Sequence, residues 1–354
     1  MSRRSSTPTM KDIASSANVS IGTVSRVLNR HEDVDDKLRS RVEHAARSLG
    51  YRLQARTRNV VHAKSRIVGL MLCNDFDLSS AQAQVLLGVE EHAAEAGFYV
   101  LFARHHQTPQ LDLNSSTIPG LIQTPGVADC VIVVGTVYPE ILDALHAHGL
   151  KYVLLANHLV GAADRDGRNT QVRYDDEGGI YAATRYLVQL GHKQIWYIGD
   201  AGRTWHSNRC KGYVRAMTEF ELEPHIHTIA LSDDEFDNGQ AATTNILDQG
   251  WPVTAIVAGS DELAFGAREG LRLHRREAPK DISLIGFEHQ IGRSRGSNMT
   301  SVCVDMIEVG RQLAKLAISQ IRSPQEELRE VVVPTTLVRR STCRPLRKEE
   351  HMVL

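Results

Sequence analysis

The run KDIASSANVSIGTVSRVLN, Lys11–Asn29, reads as two short amphipathic helices and the turn between them. Thr9-Met10-Lys11-Asp12 sets a hydroxyl N-cap three residues ahead of a carboxylate, a capping-box start, and Ile13, Ala14 and Ala17 follow as one apolar stripe. Asn18 ends this helix, because asparagine tolerates the left-handed conformation that a tight turn needs. Ser20 is the next N-cap, and Val19 before it can staple onto Val24. In the second helix Val24, Val27 and Leu28 form the inward face. Gly22, Ser25, Arg26 and Asn29 recur at i, i+3, i+4 and i+7, so they share the outward face. Such a pair describes a helix-turn-helix, with a generic three-helix bundle as the alternative. A third helix is expected from Asp35 or Asp36, burying Leu38, Val42, Ala45 and Leu49 and ending at Gly50.

Around this head the charge is uneven. Residues 1–66 carry 14 lysines and arginines against 6 acidic residues, while the remaining 288 carry 27 against 36. The net charge of −1 over 354 residues hides a basic head on an acidic body, so the head is the part suited to a polyanion. The apolar content of 42% excludes a disordered chain. No apolar stretch follows the arginines of MSRRSSTPTMKD and no apolar run approaches about 18 residues, so neither a secretory signal nor a membrane span is expected. Cys73, Cys130, Cys210, Cys303 and Cys343 lie far apart, which suits incidental thiols of a reduced, cytoplasmic protein.

From residue 67 short β-branched runs alternate with helical patterns. IVGLML (67–72), YVLFA (99–103), CVIVV (130–134) and KYVLLA (151–156) form one series. QIWYIG (194–199), HTIAL (227–231), AIVAG (255–259) and SLIGF (283–287) form a second. The alternation predicts parallel sheets covered by helices on both faces, in two similar lobes. The segments SVCV (301–304), 306–322 and VVVPTTLV (331–338) can recross between them. In such sheets ligands sit beyond the carboxyl ends of the strands. Arg209, Phe236, Ser260, Asp261 and Glu288 occupy that location in the second lobe. An arginine fork, carboxylates and an aromatic face suit a hydroxylated ligand. The competing reading makes Ser260 and Asp261 helix caps and Phe236 ordinary core.

The opening run, continued by Val34, Arg39, Val42 and Leu49-Gly50-Tyr51, resembles the N-terminal signature of the LacI/GalR (lactose-repressor) family of bacterial transcriptional regulators, close to DVAxxAGVSxxTVSRVLN. LGHKQIWYIGD (190–200), NRCKGYVRAM (208–217), SDELAFGAREGLR (260–272) and DISLIGFE (281–288) are similar to further family motifs, extending the resemblance to about 9–342. It implies an all-α helix-turn-helix head and an α/β two-lobed periplasmic-binding-protein-like body. The expected boundaries are 1–51 for the head, 52–65 for a hinge, 66–342 for the body and 343–354 for a tail. Lobe 1 is then about 66–172 plus 303–328, and lobe 2 about 173–300 plus 329–342. It also implies a homodimer on a near-palindromic DNA operator, most often a repressor, gated by a small-molecule effector. A sugar or sugar derivative is favoured; a nucleoside or purine, or no effector, is the alternative. The tail after Val338 lacks apolar heptads for a tetramerising coiled coil.

The resemblance assigns DNA contacts to Thr9, Ser20, Ile21, Gly22, Thr23, Ser25, Arg26 and Asn29, and to Arg56, Arg58 and Val60 in the hinge. It adds Asn157, Arg203 and Trp205 to Arg209, Phe236, Ser260, Asp261 and Glu288 as effector contacts. The chain departs from the family in places. Ser79-Ser80-Ala81-Gln82 replaces an NPFF run, Glu288 an aspartate, and Asn157 a common acid. The hinge lacks its usual Pro-Asn start, so a solvated basic linker is the alternative there. No cofactor or metal is expected, since His225-x-His227 and His105-His106 lack a third ligand nearby. GxxxxGK[ST], HExxH and GxSxG are all missing, so an enzyme on this fold is only a remote alternative.

Overall fold

A computed structural model describes residues 9–28, 34–49, 65–74, 78–105, 119, 124, 126–161, 169–199, 204–228, 234–287, 298–323 and 329–346. The chain divides into two compact units, Met1–Ser65 and Arg66–Leu354.

In the first unit, α1 (Met10–Ala17), α2 (Ile21–Leu28) and α3 (Asp36–Ser48) enclose a small core. Ile13, Ala14, Ala17, Val24, Val27, Val42, Ala45 and Ala46 are buried in it. The local chemistry fixes each end. Thr9 and Asp12 form the reciprocal capping box, and Asn18 closes α1 at φ 50°, ψ 55°. Arg41 from α3 donates to the Ala17 carbonyl at 2.6 Å, tying the third helix to the turn. One expectation fails: Leu49 is exposed, because α3 ends at Ser48 and carries it past the core, where Ala46 packs instead.

The second unit contains two six-stranded sheets. The first holds β1 (Ile67–Cys73), β2 (Tyr99–His105), β3 (Cys130–Gly135), β4 (Tyr152–Leu155), β5 (Gln171–Tyr174) and β11 (Glu330–Val333), ordered β11-β5-β4-β3-β1-β2 and wholly parallel. The second holds β6 (Ile195–Ile198), β7 (His225–His227), β8 (Ala255–Ala258), β9 (Ser283–Phe287), β10 (Thr300–Val304) and β12 (Thr335–Val338), ordered β12-β10-β9-β8-β6-β7. Only β12 in it runs antiparallel to its neighbour. Helices α4 (Ser80–Glu95), α5 (Pro139–Ala147), α6 (Asp176–Gln189), α7 (Thr204–Glu219), α8 (Glu235–Asp248), α9 (Asp261–Leu273) and α10 (Met306–Arg322) cover both faces. The period of two along each strand sorts the core. Ile195 and Tyr197 join Tyr213 and Met217 of α7, whereas Trp196 and Ile198 join Ala242, Ile246 and Leu271 of α8 and α9.

The chain crosses between sheets at Asp175, at Asp305 and at Pro334. Asp175 caps α6 and Asp305 caps α10, each accepting from the third backbone N–H at 2.9 Å. Asp175 also receives the Thr335 hydroxyl at its carbonyl (3.2 Å), stitching the first crossing to the third. These crossings correct the expected lobe limits. Residues 173 and 174 finish β5 in the first sheet, and 303 and 304 finish β10 in the second. Residues 330–333 pair with β5 rather than lying in lobe 2. The strand expected at HTIAL is instead His225–His227, and 229–233 lie outside the described residues.

Candidate functional site

In the head, α2 presents Ile21, Gly22 and Arg26 outward, with Ile21 46% exposed. Ser25 and Thr23 are half-buried on the same side. Ser20 is engaged in capping: its hydroxyl accepts the Thr23 N–H at 3.0 Å and bonds the Thr23 hydroxyl at 2.9 Å. The Thr9 hydroxyl likewise donates to Asp12 at 2.7 Å, a bond that holds the Asp12 carboxyl below the usual carboxylate range. Asn29, Arg56, Arg58 and Val60 lie outside the described residues.

In the body, the carboxyl ends of the strands bring polar groups from both lobes together. Arg209, on α7 of the second lobe, is fully buried. Its Nε donates to Asp176 at 2.7 Å, Nη1 to the Gly259 carbonyl at 2.6 Å and Nη2 to the Tyr174 hydroxyl at 3.4 Å. The guanidinium also lies 3.9 Å from the centre of the Phe287 ring. Asp176 uses its other oxygen to accept from Asn157 at 2.7 Å. Asn157, just past β4 of the first sheet, is itself locked to β5 through the Tyr174 backbone N–H and carbonyl, both at 2.9 Å. Asn157, Asp176 and Arg209 therefore form one buried bridge from the first sheet to the second. Trp205, one turn before Arg209, packs its ring 4.5 Å from that of His158, whose Nε2 is 3.2 Å from the Tyr174 hydroxyl.

A second carboxylate adjoins the bridge. Glu235 opens α8, accepts the Ser260 hydroxyl and lies 3.2 Å from His206 Nε2. A carboxylate only accepts, so His206 donates to it from Nε2. Its buried Nδ1 has no partner among the described residues; it faces Gly259, where a Cβ would fall 2.3 Å away. Burial alone would push the Glu235 carboxyl up. The His206 hydrogen bond and charge, the Ser260 hydroxyl and nearby Arg209 outweigh it and hold the group down to about 2.

The predicted effector residues thus divide. Asn157 and Arg209 meet through Asp176, Trp205 adjoins them, and Ser260 joins through Glu235. Ser260 is also the N-cap of α9, accepting the Leu263 N–H at 3.1 Å. Asp261 turns away: it is buried, accepts the Ser301 hydroxyl at 2.7 Å, and requires Gly286, where a Cβ would sit 2.2 Å from its oxygen. Phe236 packs half-buried against the core under α8 and α9. Arg203 and Glu288 lie outside the described residues. Sequence reading missed Tyr174, Asp176, His158, His206 and Glu235. Asp176 and Glu235 carry the only early signal, acids in the first turn of a helix, which helix electrostatics already explains. Among the described residues no group of three or more metal-ligating side chains occurs, and no helix is long and apolar enough to cross a membrane.

Residues 9–54 match the family model described as bacterial regulatory proteins, lacI family, and 184–343 match a periplasmic binding protein-like domain. The chain is 30% identical over 320 residues to the HTH-type transcriptional repressor CytR of Escherichia coli (strain K12), spanning 89% of this chain and 90% of that one. Among solved structures it resembles the transcriptional regulator CelR in complex with cellobiose (TM-score 0.67, 25% identity, 95% of this chain and 99% of that one). It shares its fold with the lac repressor dimer bound to operator and the anti-inducer ONPF (TM-score 0.77, 20% identity, 96% and 100%).

Proposed function

The chain belongs to the lacI family of bacterial regulatory proteins, and on that premise we propose a repressor that binds a near-palindromic operator as a homodimer under the control of a small molecule held between its two lobes. The observation that carries the effector half is the buried Asn157–Asp176–Arg209 bridge. A ligand lodged against it touches both lobes at once. It can therefore bind two lobe arrangements unequally, which is what coupling to the head requires. Asn157, Trp205, Arg209 and Ser260 are its proposed contacts, with Arg203 and Glu288 alongside. Phe236 and Asp261 support the wall from behind. A carbohydrate is the favoured class, supported by bidentate-capable donors and acceptors beside an aromatic face and by the likeness to CelR in complex with cellobiose. A nucleoside is the second reading, favoured by the Trp205–His158 ring pair, which offers a flat surface for a base.

On the DNA side, Ile21 can meet a thymine methyl, Gly22 offers backbone alone, and Arg26 is the main polar reader. Ser20, Thr23 and Thr9 hold the helices in register and reach phosphate from the helix starts, with Ser25 and Asn29 beside Arg26. Arg56, Arg58 and Val60 are proposed to follow into the minor groove. No catalytic step, metal or cofactor enters this reading, and a protein acting on a bacterial chromosome works in the cytoplasm. Operator selection from random DNA with the full-length protein tests it. The recovered site should be two-fold related, and affinity should fall roughly 10³–10⁵-fold between about 50 and 200 mM salt for 6–10 phosphate contacts. A nearly flat salt response would remove DNA as the partner.

A further inference from the structure

We propose that His158 and Trp205 form a latch that ties the two lobes of the effector-free body to each other. The two rings come from opposite lobes. His158 ends the 3₁₀ turn Ala156–His158 after β4, and Trp205 lies in the first turn of α7. Their centroids are 4.5 Å apart with the planes tilted by 35°, which is direct ring contact. Each ring is held from its own side. The His158 carbonyl accepts the Val137 N–H at 3.0 Å, and the Tyr174 hydroxyl lies 3.2 Å from the His158 Nε2. Trp205 precedes Arg209 by four residues, so one face of α7 carries both, and Arg209 is fixed by Asp176 and the Gly259 carbonyl.

The ring pair differs from the polar bridge in its place relative to the crossings. Tyr174 and Asp176 flank the crossing at Asp175, so the chain itself holds them at the boundary however the lobes turn. His158 and Trp205 belong to no crossing, and their contact lasts only while the lobes keep this arrangement. Both residues are half-buried, so the rings can part without stranding a buried ion. A ring contact of this kind shifts a two-state equilibrium by roughly 2–10-fold, within what a ligand's unequal affinity for two arrangements can reverse. No third ring fits between planes at this spacing. A planar ligand that stacks on that face of Trp205 therefore displaces His158 and releases the latch.

Hydrogen exchange of the full-length protein, without ligand or DNA, tests the latch, since a tie lost on one lobe is read on the other. Trp205→Ala should speed exchange of the Val137 and Val160 amides, which are bonded around His158 in the first lobe, by roughly 2–10-fold. His158→Ala should do the same to the amides of residues 208–211 near the start of α7 in the second lobe. His158→Phe keeps a ring and should restore wild-type exchange there. Adding Trp205→Ala to His158→Ala should leave the first-lobe amides no faster, because the contact is already gone. Two results would overturn the proposal. One is wild-type exchange on the opposite lobe in both alanine variants; the other is a further acceleration of the first-lobe amides when Trp205 is removed in the absence of His158. The latch stands on the two-lobed fold alone, whereas its reach to DNA rests on the proposed function. Operator affinity of the same proteins in effector-free buffer separates the two. A shift that accompanies faster exchange carries the latch through to the head, and faster exchange with unchanged operator affinity refutes the coupling while leaving the latch in place.

Discussion

Replacing one member of the Asp176–Arg209 pair strands the other as a buried charge. Arg209 is fully buried and Asp176 4% exposed, and the two meet at 2.7 Å. Breaking such a pair from one side costs about 3–5 kcal/mol. In Arg209→Met the carboxylate keeps only the Asn157 donor, and the Gly259 carbonyl and the Phe287 ring also lose their partner. In Asp176→Asn the guanidinium keeps the Gly259 carbonyl and the Tyr174 hydroxyl but loses the Asp176 charge at 2.7 Å. At about 2–4 °C per kcal/mol for a domain of this size class, each single variant should melt about 6–20 °C lower. The double variant buries neither charge. Its loss should therefore fall short of the sum of the two single losses by about 1–3 kcal/mol. Urea unfolding followed by circular dichroism of the full-length proteins gives the four free energies. Losses that simply add in the double variant would refute the bridge as the link between lobes.

Three further outcomes follow from the same geometry. Arg26→Ala should cost about 1–3 kcal/mol of operator affinity and relax base preference at one position in each half-site, read by repeating the selection with the variant. Thr9→Ala removes one side of the capping box and should lower head stability by about 1 kcal/mol, measured by unfolding with a head-specific probe. Glu235 is depressed in the folded protein, so its contribution is present above its ordinary value of 4.5 and is lost as pH falls from there toward about 2. Glu235→Gln should flatten stability against pH in that window; an unchanged profile would show that the His206 and Ser260 contacts do not hold the carboxylate.

The head was legible because its structure is written in local chemistry. Thr9 with Asp12, Asn18 and Ser20 each act within four residues of their own position, and the apolar stripe fills one small core. Leu49 was misread because periodicity cannot tell where a helix stops. In the body the long buried strands β1 and β3 stood out as apolar runs. The short β5, Gln171–Tyr174, alternates half-buried and buried residues and gave no run to find. The lobe limits failed at the crossings for a related reason: which sheet a strand joins depends on partners more than 100 residues away, as with Glu330–Val333 on β5. Arg209 was visible from its place on the helix that follows the 194–199 run and from the family resemblance. Its partner Asp176 was not, since an acid in the first turn of a helix has an ordinary explanation and only the fold brings the two together.

The most direct measurement is operator affinity by fluorescence anisotropy at fixed salt, with and without a neutral ligand that binds the interlobe site. The account predicts a change of about 5–150-fold in wild type, and no change in Asp176→Asn/Arg209→Met protein that still binds the operator. A ligand that saturates the site while operator affinity stays the same would contradict it.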